Sequence, residues 1–230
     1  MTFKTISYLF LCFLFSQPFL AQEKKEPIIM DFHLVFDNHP LEINKKYVSE
    51  TKDSLEINTF KFYISNISIQ FADNTNYSEE NSYHLLDIEN PNSLKIPLKN
   101  YTEKSILKIT FTIGVDSLAN VSGAMSGDLD PTNGMYWAWQ SGYINMKIQG
   151  ISKSCKTRKN AFDFHIGGYL KPYYASRKIT LEPKNNRLNI KVDLAKLFSK
   201  ISLSETNSIM IPGKQAMEIA DKSIQMFSLE

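Results

Sequence analysis

Cysteine is scarce in this chain: its 230 residues include two, Cys12 and Cys155. That is too few for the disulfide framework on which small exported domains lean. A surplus of charge is missing as well. There are 26 Lys and Arg against 24 Asp and Glu, a net charge of +2 with a pI near 8.3. No basic run supplies the footprint that a nucleic-acid backbone demands, so no nucleic-acid partner is expected. No apolar run reaches the roughly 20 residues of a membrane-spanning helix, since Leu9–Phe15 is cut off by Ser16, Gln17 and Pro18. The glycines build no phosphate-cradling loop, Ser126 in Gly-Ala-Met-Ser-Gly lacks the spacing of a nucleophile elbow, and no paired-histidine zinc helix occurs. An enzyme is therefore not expected.

What is present is ordinary globular material. A hydrophobic fraction of 43%, a charged fraction of 22% and a mean hydropathy of -0.26 exclude disorder over most of the length. Only the start differs. Lys4 forms a positive n-region, Leu9–Phe15 an apolar h-region, and Pro18-Phe19-Leu20-Ala21 a small-residue cleavage site before Gln22. The expected organisation is a signal peptide over 1–21 and a single β-rich domain over 22–230, located in the periplasm or secreted. Cys12 would leave with the signal, and Cys155 would remain alone. Stability must then come from a core, and a chain of this size buries roughly 70% of its unfolded surface.

Period-2 alternation recurs in short segments separated by Asn, Asp, Gly, Ser and Pro, the signature of strands half-buried in a sheet. Met30, Phe32, Leu34 and Phe36 share one face, and Asp31, His33 and Val35 the other. Between Ile57 and Phe71 the apolar parity changes from even (Phe60, Phe62, Ile64) to odd (Ile67, Ile69, Phe71), which predicts a bulge at Ser65-Asn66. Leu107, Ile109, Phe111 and Ile113 alternate with Lys108, Thr110 and Thr112. Further strands are expected around Ile144–Ile148, Phe162–Ile166, Ile179–Leu181 and Leu188–Val192. Residues 214–227 carry helical spacing after Pro212-Gly213. The predicted fold is all-β, mainly an antiparallel β-sandwich, with a short C-terminal helix.

From Gly114 to Gly142 the alternation stops. Irregular stretches of that length inside a compact domain are usually functional or disordered, and this one holds both tryptophans, which argue against disorder. The run from Asp128 to Gly134 reads as an Asp/Asn-rich turn, because Pro131 breaks the spacing of a calcium loop. Met135, Trp137 and Trp139 are two apart and would point the same way in an extended chain. Thioether and imidazole suit copper, Cu(I) above all, and an indole face shields a soft cation. Of the four histidines, His33, His39, His84 and His165, His165 is the foremost ligand candidate. Phe162, Phe164 and Ile166 turn it outward, next to Gly167 and Gly168, which allow close approach.

Several blocks, taken in order, carry a resemblance. They are Tyr63-Ile-Ser-Asn66-Ile, Ile113-Gly-Val-Asp116, Gly127-Asp-Leu-Asp-Pro131, Gly134-Met-Tyr-Trp-Ala-Trp139 with Gly142-Tyr143, and Phe164-His-Ile-Gly-Gly168. The chain resembles the MbnP-like family of exported copper-binding proteins, relatives of copper-regulated surface and periplasmic proteins of methane-oxidising bacteria. The resemblance runs from about Ile28 to the C-terminus. It implies copper held by histidine and, in some members, by a tryptophan oxidised to kynurenine by a partner dihaem enzyme of the MauG type. Such oxidation turns an indole nitrogen that cannot ligate into an aniline nitrogen that can. His165 matches the family's downstream histidine, and Trp137 the modifiable tryptophan. Where some members have a histidine two residues later, this chain has Trp139, so a second imidazole would come from His33, His39 or His84.

The expected centre therefore consists of His165 and His33 with Trp137, Trp139 and Met135, binding a copper ion. The rival expectation is a metal-free module in which Trp137, Trp139 and Tyr143 form a platform for a sugar or a protein.

Overall fold

Alternating strands give each sheet a dry face and a wet face, and two dry faces closed on each other form the body of this protein. A computed structural model describes residues 27–98, 104–140 and 142–230; the expected signal peptide, 1–21, lies outside them. In chain order the strands are β1 (Ile28–Phe36), β2 (His39–Pro40), β3 (Lys46–Val48), β4 (Ser54–Phe71), β5 (Asn76–Ser78), β6 (Tyr83–Asp87), β7 (Lys95–Leu98) and β8 (Ile106–Ile113). After helix α1 (Ser117–Ser122) come β9 (Tyr136–Trp137), β10 (Gly142–Tyr143), β11 (Met146–Ser152), β12 (Ala161–Ile166), β13 (Arg177–Leu181) and β14 (Leu188–Asp193). Then follow α2 (Leu194–Phe198), β15 (Ser208–Ile209), α3 (Lys214–Ser223) and β16 (Phe227–Leu229).

The smaller sheet runs β16-β14-β1-β2, with β7 also on β1. The larger runs β13-β8-β4-β11-β12-β15, with β3, β5 and β6 beside β4. Pairing is mainly antiparallel; β1–β14 and β12–β15 are parallel. This is the sandwich that the alternation predicts. Phe32 of the smaller sheet meets Phe62 and Phe111 of the larger edge-on, with ring centroids 6.3 and 6.0 Å apart. Each fully buried side chain of this kind contributes about 1.5–3 kcal/mol through lost apolar surface. The predicted bulge is present: the β4–β8 register jumps between Ser65 and Ser68, and Asn66 has φ 52.

Three local expectations are corrected. Leu107 is exposed and Ile106 is buried in its place, because the β4–β8 register shifts again between Gln70 and Phe71. The C-terminal helix stops at Ser223; a turn at Ile224–Met226 leads into β16, which pairs with β14. Phe227 is drawn out of helical phase by burial against Phe62 and Phe111, both 5.9 Å away. The segment from Gly114 to Gly142, an excursion expected to lack regular structure, contains among its described residues α1, two 3-10 turns and the ribbon β9–β10.

Candidate functional site

Tyr63 lies at the odd positions of β4, between Phe62 and Ile64, and so faces away from the sandwich core. The excursion folds over it and builds a second, smaller core on the outer face of the larger sheet. Its buried members include Tyr63, Val115, Leu129, Met135, Trp137 and Tyr143. Gly114 starts the excursion at φ 111, where an added Cβ would lie 2.4 Å from the Asn145 side chain; no other residue fits that turn without strain.

Polar side chains pin the cover in place. Asp116 caps α1 by accepting from the Ala119 amide at 3.0 Å, and its other oxygen accepts the Tyr83 hydroxyl at 2.5 Å. Asn145 Oδ1 accepts from Val115 N at 3.0 Å, and Asn120 Oδ1 from Tyr143 N at 2.8 Å. The Tyr63 hydroxyl donates to the Asp128 carbonyl at 2.8 Å. The Tyr143 hydroxyl accepts from Met125 N at 3.0 Å and has the Leu129 and Gly123 carbonyls at 3.0 and 3.2 Å. Burial pushes the pKa of Tyr63, Tyr83 and Tyr143 upward, so all three remain neutral donors. Within the Asp128–Gly134 turn, Asp130 Oδ1 accepts from Thr132 N at 2.8 Å, and Asp128 Oδ2 takes the Leu85 amide at 2.9 Å. Those carboxylates serve the backbone, as the turn reading expects.

His165 projects from β12 onto this same outer face, where it is 8% exposed and its Nε2 is buried without a hydrogen-bond partner. Leaving a buried polar atom unsatisfied costs about 1–3 kcal/mol, so an orphan of this kind needs an explanation. Directly across the strand pair stands Lys147, and across the next pair Lys61. Lys147 Nζ donates to the Gly134 carbonyl at 3.2 Å. Desolvation first, and the Lys147 charge second, push the His165 pKa down to about 4, with Asp163 opposing. The ring is therefore neutral at physiological pH, the form that offers a lone pair to a metal. The pKa of Lys147 is lowered by burial and by Lys61.

Two contacts tie the tryptophan segment to this strand. One is the Lys147–Gly134 hydrogen bond. The other is at Gly167, where an added Cβ would come within 2.7 Å of the Trp137 ring and 2.6 Å of the Tyr143 carbonyl. Trp137 thus lies on the backbone two residues beyond His165. Met135 and Trp137 are buried, whereas Trp139 is 63% exposed, because β9 ends at Trp137 and a turn follows. The extended geometry expected for the pair does not reach Trp139, although the two rings remain 6.1 Å apart and tilted by 53°.

The other histidines are not brought to His165. His33 faces outward from the smaller sheet, with the sandwich core between the two outer faces; its Nδ1 is 2.6 Å from Glu230 and its Nε2 3.5 Å from Asp31. Its expected partnership with the tryptophan segment fails because β1 belongs to the opposite sheet. His39 Nδ1 is engaged by the Asp37 carbonyl at 2.8 Å. His84 shares the side of β6 that carries the core residue Leu86 and meets Glu79 at 2.9 Å. Among the described residues no group of three or more His, Cys, Asp or Glu is gathered for a metal. Lys147, Asn120 and Asn145 were not foreseen as site-building residues. The available signal was a lone charged residue in the apolar run Ile144–Ile148.

These features define a class of protein: an all-β sandwich whose outer face carries a pinned cover beside an unpaired, neutral imidazole. The MbnP family model matches residues 25–211, and the chain belongs to that family. Among solved structures it is similar to MbnP from Methylosinus trichosporium, at 14% identity and a TM-score of 0.56, over 78% of this chain and 79% of that one. At that identity the likeness speaks for the fold. No curated protein matches the chain. No helix among the described residues is long and apolar enough to cross a membrane.

Proposed function

We propose that this chain is an exported, non-enzymatic copper-binding protein acting in the periplasm or after secretion, with His165 as its primary donor. The observation that carries the reading is the buried, unpartnered Nε2 of His165 beside the pinned tryptophan segment. A neutral imidazole suits copper, and the buried Met135 thioether in the adjoining small core is a soft donor type. Trp137 and Trp139 shield the ion. After oxidation to kynurenine by a MauG-type dihaem partner, Trp137 would also donate through an aniline nitrogen. Bound copper would supply a soft, redox-active cation; the chain itself supplies the imidazole, the desolvated surround and the pinned cover.

Copper titration of protein purified from its own host, beside His165→Ala, tests this. Even outer-sphere partners are worth about 10–100-fold in metal affinity, so loss of the imidazole should cost more than roughly 100-fold. Unchanged affinity would remove the centre. Mass spectrometry of the Trp137 peptide tests the maturation separately, through the kynurenine mass.

The exposure of Trp139 favours a second reading, a metal-free module for a sugar or a protein. Next to that segment lies a cavity of about 190 Å³ whose lining includes Gln140, Tyr169, Leu170, Lys171 and Tyr173. On this reading a sugar would bind copper-free protein, and Trp139→Ala would abolish the binding while His165→Ala would not.

A further inference from the structure

The end of the larger sheet farthest from the tryptophan segment collects positive charge. The connection from β11 to β12 carries Lys153, Lys156, Arg158 and Lys159, with no acidic residue between Gln149 and Asp163. The β3–β4 hairpin, at the same end of β4, adds Lys46 and Lys52. All six cations are exposed and make no ion pair among the described residues; Lys45 beside them is paired with Glu42 at 2.6 Å. Against them stand Glu50, Glu56 and Glu205, while Asp53 is buried and accepts the Leu203 amide at 2.9 Å. Lys52 and Lys159 hold left-handed backbone, at φ 66 and 63, where glycine or asparagine is less strained.

Apolar side chains share this surface. Lys46 and Ile151 flank Glu56 across β3, β4 and β11, and Val48 stands opposite Ser54; Val48 is 63% exposed and Ile151 38%. Lys46, Lys153 and Asn160 line a hollow of about 140 Å³. Pockets for whole small molecules run to about 300–1,000 Å³, so this one suits a single small anionic group held between two ammonium groups. A nucleic-acid strand would stack its bases on aromatic rings, and no aromatic side chain is exposed at this end among the described residues. A bilayer surface takes both features: apolar side chains enter the headgroup region, and lysines reach lipid phosphates with their stems laid along apolar surface. We propose that this end is a docking surface for an anionic phospholipid bilayer, with Val48 and Ile151 entering the headgroup region and the six cations meeting its phosphates. The proposal does not depend on copper. Ala161, at this end of β12, is four residues from His165, about 13 Å of strand, so docking leaves the candidate site facing the aqueous compartment.

Co-sedimentation of the intact protein with vesicles tests this, using phosphatidylcholine alone and phosphatidylcholine with about 30% phosphatidylglycerol, each at about 0.05 and about 0.5 M NaCl. The protein should sediment with the anionic vesicles at low salt, be released at high salt, and ignore the neutral vesicles. Lys153→Gln with Lys156→Gln should weaken partitioning about 25-fold, roughly fivefold for each charge. Lys108→Gln with Lys178→Gln removes the same charge from β8 and β13 and should change it less than about twofold. Val48→Ser should weaken partitioning about fivefold. Equal binding to neutral vesicles, no binding to anionic ones, or equal effects of the two lysine pairs would overturn the proposal. So would an unchanged Val48→Ser, which would mark a site for soluble polyanions, or capture of the protein by duplex DNA through Lys153 and Lys156 without vesicle binding.

Discussion

The two cores of this protein are held together by different means. Between the sheets, Phe32, Phe62, Phe111, Phe162 and Phe227 touch one another or their neighbours with no polar group among them, and the contacts are non-directional. Beneath the excursion, a handful of apolar side chains is enclosed by hydrogen bonds that Tyr63 and Tyr143 donate to backbone carbonyls and that Asn120 and Asn145 accept from backbone amides. Apolar burial tolerates repacking, because about the right volume suffices. A hydrogen-bonded cover is directional, and it leaves a buried group unpaired when one partner goes. The first core makes the domain stable; the second makes one surface of it specific, and His165 sits at that surface.

The comparison breaks most severely from the side of the main core. Phe62→Ala removes a fully buried ring that contacts Phe32, Phe60 and Phe227. It should lower stability by about 3–5 kcal/mol, read as a shift of the urea midpoint that is equal for sandwich and excursion probes. Separate midpoints would show that the second core does not depend on the first.

A change of pH sharpens the contrast next. The folded pKa of His165 is depressed to about 4, against an ordinary value of about 6.5. Between these values the unfolded chain takes up a proton that the folded chain refuses. The stability contribution is whole above about pH 6.5, falls as pH drops toward about 4, and changes no further below. The loss amounts to about 3 kcal/mol. The wild-type minus His165→Gln difference in urea midpoint should change across that window, and a pH-independent difference would contradict the buried, unpaired imidazole.

The main core was legible in the sequence because its logic is local. Met30, Phe32, Leu34 and Phe36 announce a buried face by alternation alone, and the parity change in β4 announces its bulge. Leu107 was misjudged since its orientation depends on a register shift against Phe71, and the end of α3 because Phe227 finds its partners in β4 and β8. The candidate site was legible in part. Alternation turned His165 away from the main core, but the tryptophan segment reaches its strand through Gly167 and Lys147, an arrangement set by close approach and hydrogen bonds that no periodicity encodes. The same gap hid the assignment of His33 to the opposite sheet. Several blocks that carry the family resemblance, among them Tyr63, Asp116 and Asp128, prove to be the pins of the cover.

Tyr143→Phe isolates those pins with the smallest expected effect. The ring would stay in place, near Tyr136 at 4.9 Å and Tyr63 at 6.0 Å between centroids, so the apolar packing is preserved. What goes is the hydroxyl that accepts from Met125 N and has the Leu129 and Gly123 carbonyls within reach. Removing a buried group of this kind costs about 1–3 kcal/mol. Because the three partners all belong to the excursion, the cost should fall on the excursion alone. Hydrogen exchange should show faster exchange at Met125 and its neighbours, while amides of β4, β11 and β12 keep their protection. If protection fell equally throughout the sandwich, the two cores would be one cooperative unit, and the division between stability and positioning would be lost.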